Sequence, residues 1–318
     1  MLFIDQQAIL CMHATSGSGG NVPINSTYGL IIILLGLLII TGCSPTRALN
    51  AVVPSNSYTM QHDVTYLAEL PHPRQTMDIY IPEQAPHKQN IVVFLYGGGW
   101  DDGDKADFGF IGQAFARLGY ITVIPNYRLF PEVEFPAFIE DAAAAVQAIP
   151  NHLPSACSAL PANERGLILI GHSAGAHSAA MLVANPSYLG DSLPIAALIG
   201  LSGPYDLPLD HERVGEKFSQ VQGNEANPVA IIAERKPANL PPTLLLHGKA
   251  DTIAKPAHSE AFATELNALG VPTTFKLYPS RRHVALVASL ASPLRFYTPA
   301  YKDIQFFLTK HSLDSNCD

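Results

Sequence analysis

Ser173 stands at the centre of Gly171-His172-Ser173-Ala174-Gly175, a G-x-S-x-G pattern fed by the apolar run Leu167-Ile168-Leu169-Ile170. A serine hydroxyl becomes an effective nucleophile when a base takes its proton and a third group orients that base. The glycine spacing has a steric meaning. A serine raised clear of a sheet sits on a sharp strand-to-helix turn, where side chains two places on either side would clash. Taken alone, the segment is equally a small-residue loop between a strand and a helix, so the reading depends on partners elsewhere in the chain. With this strand–turn–helix order the partners follow the serine as acid, then histidine. Asp251 lies four residues after His247, just past the apolar run Thr243–Leu246, and His283 follows Thr273–Tyr278 through Pro279-Ser280-Arg281-Arg282. Sites in open α/β sheets form beyond the carboxyl ends of the strands, which is where both residues fall.

Each partner has rivals. Of the 12 histidines, His62, His72, His87 and His152 precede the serine, His211 and His258 lie in an insert or at a helix start, and His311 is terminal. His172, beside the serine, is expected to face away from the reacting side and to pack or hydrogen-bond locally. Asp206, after Ser202-Gly203-Pro204-Tyr205, is the alternative acid, since a carboxylate one strand earlier also reaches such a histidine.

A second chemical feature lies upstream. The β-branched and aromatic run Ile91–Leu95 empties into Tyr96-Gly97-Gly98-Gly99-Trp100, followed by Gly103-Asp104-Lys105. Three glycines weaken any regular element, so the backbone itself is the functional part here. Bare N–H groups close to a developing negative charge are what a tetrahedral acyl-transfer intermediate requires.

The elements that must position these groups alternate. Strands are expected at Val64–Leu70, Thr76–Ile81, Ile91–Leu95, Tyr120–Ile124, Leu167–Ile170, Ile195–Leu201, Thr243–Gly248 and Thr273–Tyr278. Helices are expected at Phe108–Leu118, Pro136–Ile149, after the serine, at Ala257–Leu269 and at Pro299–Thr309. Asn151–Glu164 reads as an irregular connection. Continuous apolar strands alternating with helices imply an α/β protein with a doubly wound, mostly parallel sheet. Tyr205–Leu240 lacks a sustained apolar period and is expected to form a small flap over the site.

Composition narrows the function classes. With 47% hydrophobic and 14% charged residues the 318-residue chain reads as globular, and its net charge of −8 without a basic run argues against a nucleic-acid partner. Leu30–Ile40 is aliphatic apart from Gly36, the length of a signal-peptide core and short for a bilayer span. Residues 1–29 contain no Lys or Arg, a departure from the usual basic start of such a signal. Ile40-Thr41-Gly42-Cys43 follows and resembles a bacterial lipobox, which implies lipidation at Cys43 and a lipid anchor in the cell envelope. A signal anchor or plain secretory signal are the alternatives. The resulting division is a signal peptide over 1–42, a polar tether over 43–60, a catalytic domain over 61–312 and a tail over 313–318. Besides Cys11 and Cys43 there remain Cys157 and Cys317, which an exported compartment permits to pair. No C-x-x-C or zinc-type spacing occurs, so no metal and no cofactor are expected.

From about Asp63 to Phe307 the chain resembles the α/β-hydrolase superfamily, in particular hormone-sensitive-lipase-like carboxylesterases and the group containing arylformamidases. The resemblance rests on Tyr96–Trp100 with Gly103-Asp104-Lys105, Tyr127-Arg128-Leu129 with Pro131, Phe135-Pro136-Ala137 with Asp141, Gly171–Gly175, and His247-Gly-x-x-Asp251 ahead of His283. It implies Ser173 as nucleophile, Asp251 as acid and His283 as base, with oxyanion donors from the backbone of Gly98, Gly99 and Ala174. It also implies hydrolysis of small carboxylic esters, with amide hydrolysis as the alternative and a non-catalytic surface lipoprotein as a remoter one. Such proteins usually carry His where this chain has Tyr96. That side chain is expected to brace the glycine loop. A reduced cap implies an open site.

Overall fold

A computed structural model describes residues 45–311 and 313, apart from 68, 70–71, 84–87, 154–165 and 191–193. The expected signal peptide, Cys43, Cys157 and Cys317 lie outside the described residues. All described residues belong to the second of two units, 44–318.

Eight strands form one sheet: β1 (Tyr58–Thr65), β2 (Thr76–Pro82), β3 (Ile91–Leu95), β4 (Thr122–Pro125), β5 (Leu167–His172), β6 (Ile195–Leu201), β7 (Thr243–Gly248) and β8 (Thr273–Tyr278). Their order is β1-β2-β4-β3-β5-β6-β7-β8, antiparallel at β1–β2 and β2–β4 and parallel from β4 onward. Strands β3, β5 and β7 are buried along their whole length, which is why they read as unbroken apolar runs. Around the sheet pack α1 (Pro45–Val52), α2 (Gly109–Ala116), α3 (Ala137–Ala148), α4 (Ala174–Ala184), α5 (Glu212–Gly215), α6 (Pro228–Arg235), α7 (Ala257–Ala268), α8 (Ala285–Ala288) and α9 (Ala300–Lys310). Among the described residues no helix is long and apolar enough to cross a membrane.

Register brings the chemistry to one edge. Leu95 pairs with Gly171, Gly171 with Gly200, Leu201 with Leu246, and Gly248 with Tyr278. The carboxyl ends of β3, β5, β6, β7 and β8 therefore lie side by side, and the loops leaving them share one rim.

Three expectations change. The first strand runs over Tyr58–Thr65, earlier than Val64–Leu70, with Thr65 opposite Thr76. As an edge strand with most positions exposed, it carries Gln61, His62 and Asp63 and shows no apolar pattern. Part of the segment expected to be a polar tether is helical. Residues 45–52 form α1, whose Leu49 is buried and whose Asn50 accepts from Phe110 N–H at 2.9 Å while donating to the Ala106 carbonyl at 2.6 Å. The asparagine thus supplies a partner for an N–H at the start of α2, a role that composition does not reveal. Finally, Tyr205–Leu240 is integral to the body. Its Phe218, Ala226, Ile231 and Ile232 are buried in the main core.

Candidate active site

Ser173 occupies the turn between β5 and α4 with φ 53° and ψ −123°, a conformation costing a non-glycine residue on the order of 1–3 kcal/mol. The flanking glycines make the turn possible. A side chain on Gly175 would strike the Leu95 carbonyl, and one on Gly171 would strike the backbone of Gly175 and Ala176. The turn is held by Ser173 N–H donating to the Leu201 carbonyl at 3.0 Å and by the Ser173 carbonyl accepting from Ala176 and His177.

The chain brings Asp251 and His283 to this serine across 110 residues. Ser173 Oγ donates to His283 Nε2 at 2.7 Å, and His283 Nδ1 donates to Asp251 Oδ2 at 2.8 Å. Asp251 is buried, and burial opposes its ionisation. Hydrogen bonds from His247, His283 and the Ile253 N–H outweigh that cost and hold the carboxyl well below the usual carboxylate range. An ionised acid only accepts, which leaves the proton on His283 Nδ1 and the lone pair on Nε2 facing the serine.

His247 takes a role that the motif His247-Gly-x-x-Asp251 does not assign to it. Its Nε2–H donates to the Ala254 carbonyl at 2.8 Å and lies 3.3 Å from Asp251 Oδ2, while Ser259 Oγ donates to its Nδ1 at 2.7 Å. Asp251 Oδ1 accepts from the N–H groups of Ile253 and Ala254 at 3.0 and 3.1 Å. The acid is thus fixed on every side. The four-residue spacing of His247 and Asp251 at a strand end was the available signal.

The rival acid lies elsewhere. Asp206 is exposed and accepts from Asn227 Nδ2 at 2.7 Å, holding the insert together. His172 differs from the expected local bonding in sequence terms: its Nε2–H donates to the carbonyl of His283 at 3.2 Å, and the two rings lie 5.0 Å apart. Burial, reinforced by the neighbouring His283, pushes His172 down to about 3.

The glycine loop abuts the serine directly: a methyl group on Gly97 would lie 2.8 Å from Ser173 Cβ and 2.9 Å from His172 Nδ1. Gly98 and Gly99 follow with φ 139° and 60°, the first turning so tightly that any side chain would collide with the Asp102 carbonyl. Ala174 begins α4, where the N–H has no acceptor within its own helix. Tyr96 is buried beneath the loop. It stacks on Tyr127 and Phe108, donates to Asn126 Oδ1 at 2.7 Å and accepts from Arg74 Nη2 at 2.8 Å. Arg74 also donates to the Gly103 carbonyl at 2.7 Å, so the tyrosine and arginine together support the far end of the loop.

Two buried histidines give this region a pH signature. His177 donates from Nε2 to the Ala226 carbonyl at 2.8 Å, and burial pushes it down to about 4. His172 and His177 both stay neutral in the folded state and take up protons on unfolding near pH 6.5. Their folded values are depressed, so their contribution to stability is complete above about pH 6.5 and is lost as pH falls toward 4 and 3. Denaturant titrations between pH 7 and 4.5 should show unfolding free energy falling with decreasing pH. His177→Gln should reduce the slope by about one proton. An unchanged slope contradicts the assignment.

Structural neighbours show the fold. Esterase B from Lactobacillus rhamnosis superimposes with a TM-score of 0.70 at 19% identity, covering 89% of this chain and 97% of that one. With the strand order above, the fold is the α/β-hydrolase fold. Residues 77–266, more than half of the chain, match the BD-FAE family model, and the chain belongs to that family. Among curated relatives, an isoprenylcysteine alpha-carbonyl methylesterase of Arabidopsis thaliana is 30% identical over 250 residues, which cover 70% of this chain and 56% of the relative. Kynurenine formamidase of Danio rerio is 23% identical, covering 68% of this chain and 73% of the relative. The chain spans about half the length of the methylesterases it matches.

Proposed function

We propose that the protein is a serine hydrolase that cleaves small carboxylic esters through an acyl-enzyme on Ser173. The observation that carries this reading is the continuous chain Ser173 Oγ–His283–Asp251 at 2.7 and 2.8 Å, on a serine held in a strained turn. His283 takes the serine proton as Oγ attacks the carbonyl carbon, then delivers it to the leaving alcohol. Water attacks the acyl-enzyme by the same exchange in reverse. Gly98, Gly99 and Ala174 donate to the oxyanion. The methylesterase and esterase names among the similar proteins favour an ester leaving group. The formamidase relatives favour an amide as the second reading. A fluorophosphonate probe should label Ser173 stoichiometrically. A panel of p-nitrophenyl esters against N-formyl aryl amines then separates the two, and absence of labelling rejects both.

The choice of acid has its own test. Asp251→Asn should lower kcat by about 10³- to 10⁴-fold, because the amide alters the tautomer and orientation of His283. Asp206→Asn should stay near wild type. The reverse ranking would move the acid to β6.

We further propose that the protein is lipidated at Cys43 and held at a membrane of the cell envelope, on the strength of Leu30–Ile40 abutting Ile40-Thr41-Gly42-Cys43. Ser44 in place of Asp fits lipoproteins passed to an outer membrane. Several acyl chains anchor firmly where a single chain binds marginally. A palmitate analogue should label wild type and not Cys43→Ser. Equal labelling would count against lipidation and leave a secreted or signal-anchored protein.

A further inference from the structure

The insert Tyr205–Leu240 reaches the glycine loop through one dipeptide, Lys217-Phe218. Lys217 is buried, its side chain 8% exposed, and its Nζ donates to Asp101 Oδ2 at 2.6 Å and to the Arg213 carbonyl at 3.0 Å. The ammonium also lies 5.9 Å from the centroid of the Phe130 ring. A methyl group on Gly99 would sit 3.2 Å from Asp101 Oδ1 and 4.0 Å from Lys217 Nζ, so the ion pair rests directly against the loop.

The loop needs such support. Gly98, Gly99 and Trp100 are three consecutive residues with positive φ, at 139°, 60° and 64°. Tryptophan in that region is disfavoured and persists where its surroundings over-determine it. Phe218 meets the Trp100 ring edge-on at 5.0 Å, with His177 at 5.2 Å and Phe138 at 6.0 Å completing the enclosure. The Lys217 carbonyl accepts from Phe135 N–H, and the Trp100 carbonyl accepts from Phe130 N–H, both at 2.9 Å. Within the loop, Asp101 and Asp102 N–H groups donate back to the Gly98 carbonyl. Asp101 is therefore both part of the turn that presents Gly98 and Gly99 and the handle by which the insert grips it.

We propose that Lys217 is a positioning residue for the oxyanion loop, acting through its ion pair with Asp101. The proposal rests on the reading of Gly98 and Gly99 as oxyanion donors. Through Lys217 and Phe218 the insert serves as a brace for the loop. Donors aimed at a transition-state oxygen contribute in proportion to how well they are pre-aligned, so loosening the loop lowers kcat and leaves substrate binding largely intact.

The test uses the folded full-length protein and the variants Lys217→Met, Asp101→Asn and their combination. Asp101 is half exposed, so Asp101→Asn carries the test should Lys217→Met fail to fold. Hydrogen exchange of the peptide over residues 97–104 should accelerate about tenfold in each variant. With a p-nitrophenyl ester, kcat should fall about 10- to 100-fold with KM within about twofold. The rate of phosphonylation of Ser173 should fall in parallel, since the phosphonyl oxygen uses the same donors. The midpoint of the pH–rate profile should stay in place, because the Ser173–His283–Asp251 chain is untouched. The double variant should be no worse than the single ones. Unchanged exchange in both single variants overturns the clamp whatever the activity. Accelerated exchange with unchanged kcat, or multiplying losses in the double variant, overturns the positioning role. A wild-type protein that resists the fluorophosphonate probe counts against the hydrolase reading, and the exchange result then judges the clamp separately.

Discussion

Replacing Ser173 with alanine is expected to lower kcat for a short-chain aryl ester by about 10⁴- to 10⁶-fold. The substitution removes Oγ and keeps the Cβ that packs against Gly97, so the contacts of the turn survive. The hydroxyl donates to His283 Nε2 and to nothing else in the described structure, so its loss leaves the ring in place through Asp251. Thermal stability should therefore stay within a few degrees of wild type. Residual turnover would come from the oxyanion donors and substrate binding alone. Activity within tenfold of wild type, at equal folded fraction, would reject Ser173 as nucleophile and with it the acyl-enzyme.

His283→Ala is expected to be comparably damaging, since a serine without its base keeps its proton as the carbonyl is attacked. Asp251 then loses one of its donors but retains His247 and the N–H groups of Ile253 and Ala254, so the acid stays ionised and the fold holds. The diagnostic is the double variant. Ser173→Ala with His283→Ala should be no slower than either change alone, because groups that act as one unit do not contribute additively. Losses that multiply would mean that the two residues serve separate steps, and the shared proton transfer would have to be abandoned. Single-turnover measurements with a p-nitrophenyl ester check this, because they separate acylation from product release.

Burial on both faces is what made the sheet legible. Ile91–Leu95, Leu167–Ile170 and Thr243–Leu246 have no polar alternation because no face of them meets water, and the local composition says so directly. The order of Ser173, Asp251 and His283 along the chain, the first two just past such a run and the third past the partly buried strand Thr273–Tyr278, is equally readable. Their distances are not. Contacts over 110 residues depend on the register of β5 through β8, and register is decided by side-chain packing between strands that no single segment encodes. The edge strand Tyr58–Thr65 escaped notice for the opposite reason to the core strands: its polar, exposed face erases the pattern that marks a strand. Helix Pro45–Val52 reads as a tether because, among its described side chains, Leu49 alone is buried, and Asn50 serves to complete another helix. His172 and His247 stand inside motifs that assign them no contact, and Lys217 stands in no motif at all. Tertiary contact alone makes one hold the carbonyl of His283, another the acid, and the third a carboxylate on the glycine loop, because a hydrogen bond is specified by where two segments meet and by nothing within either of them.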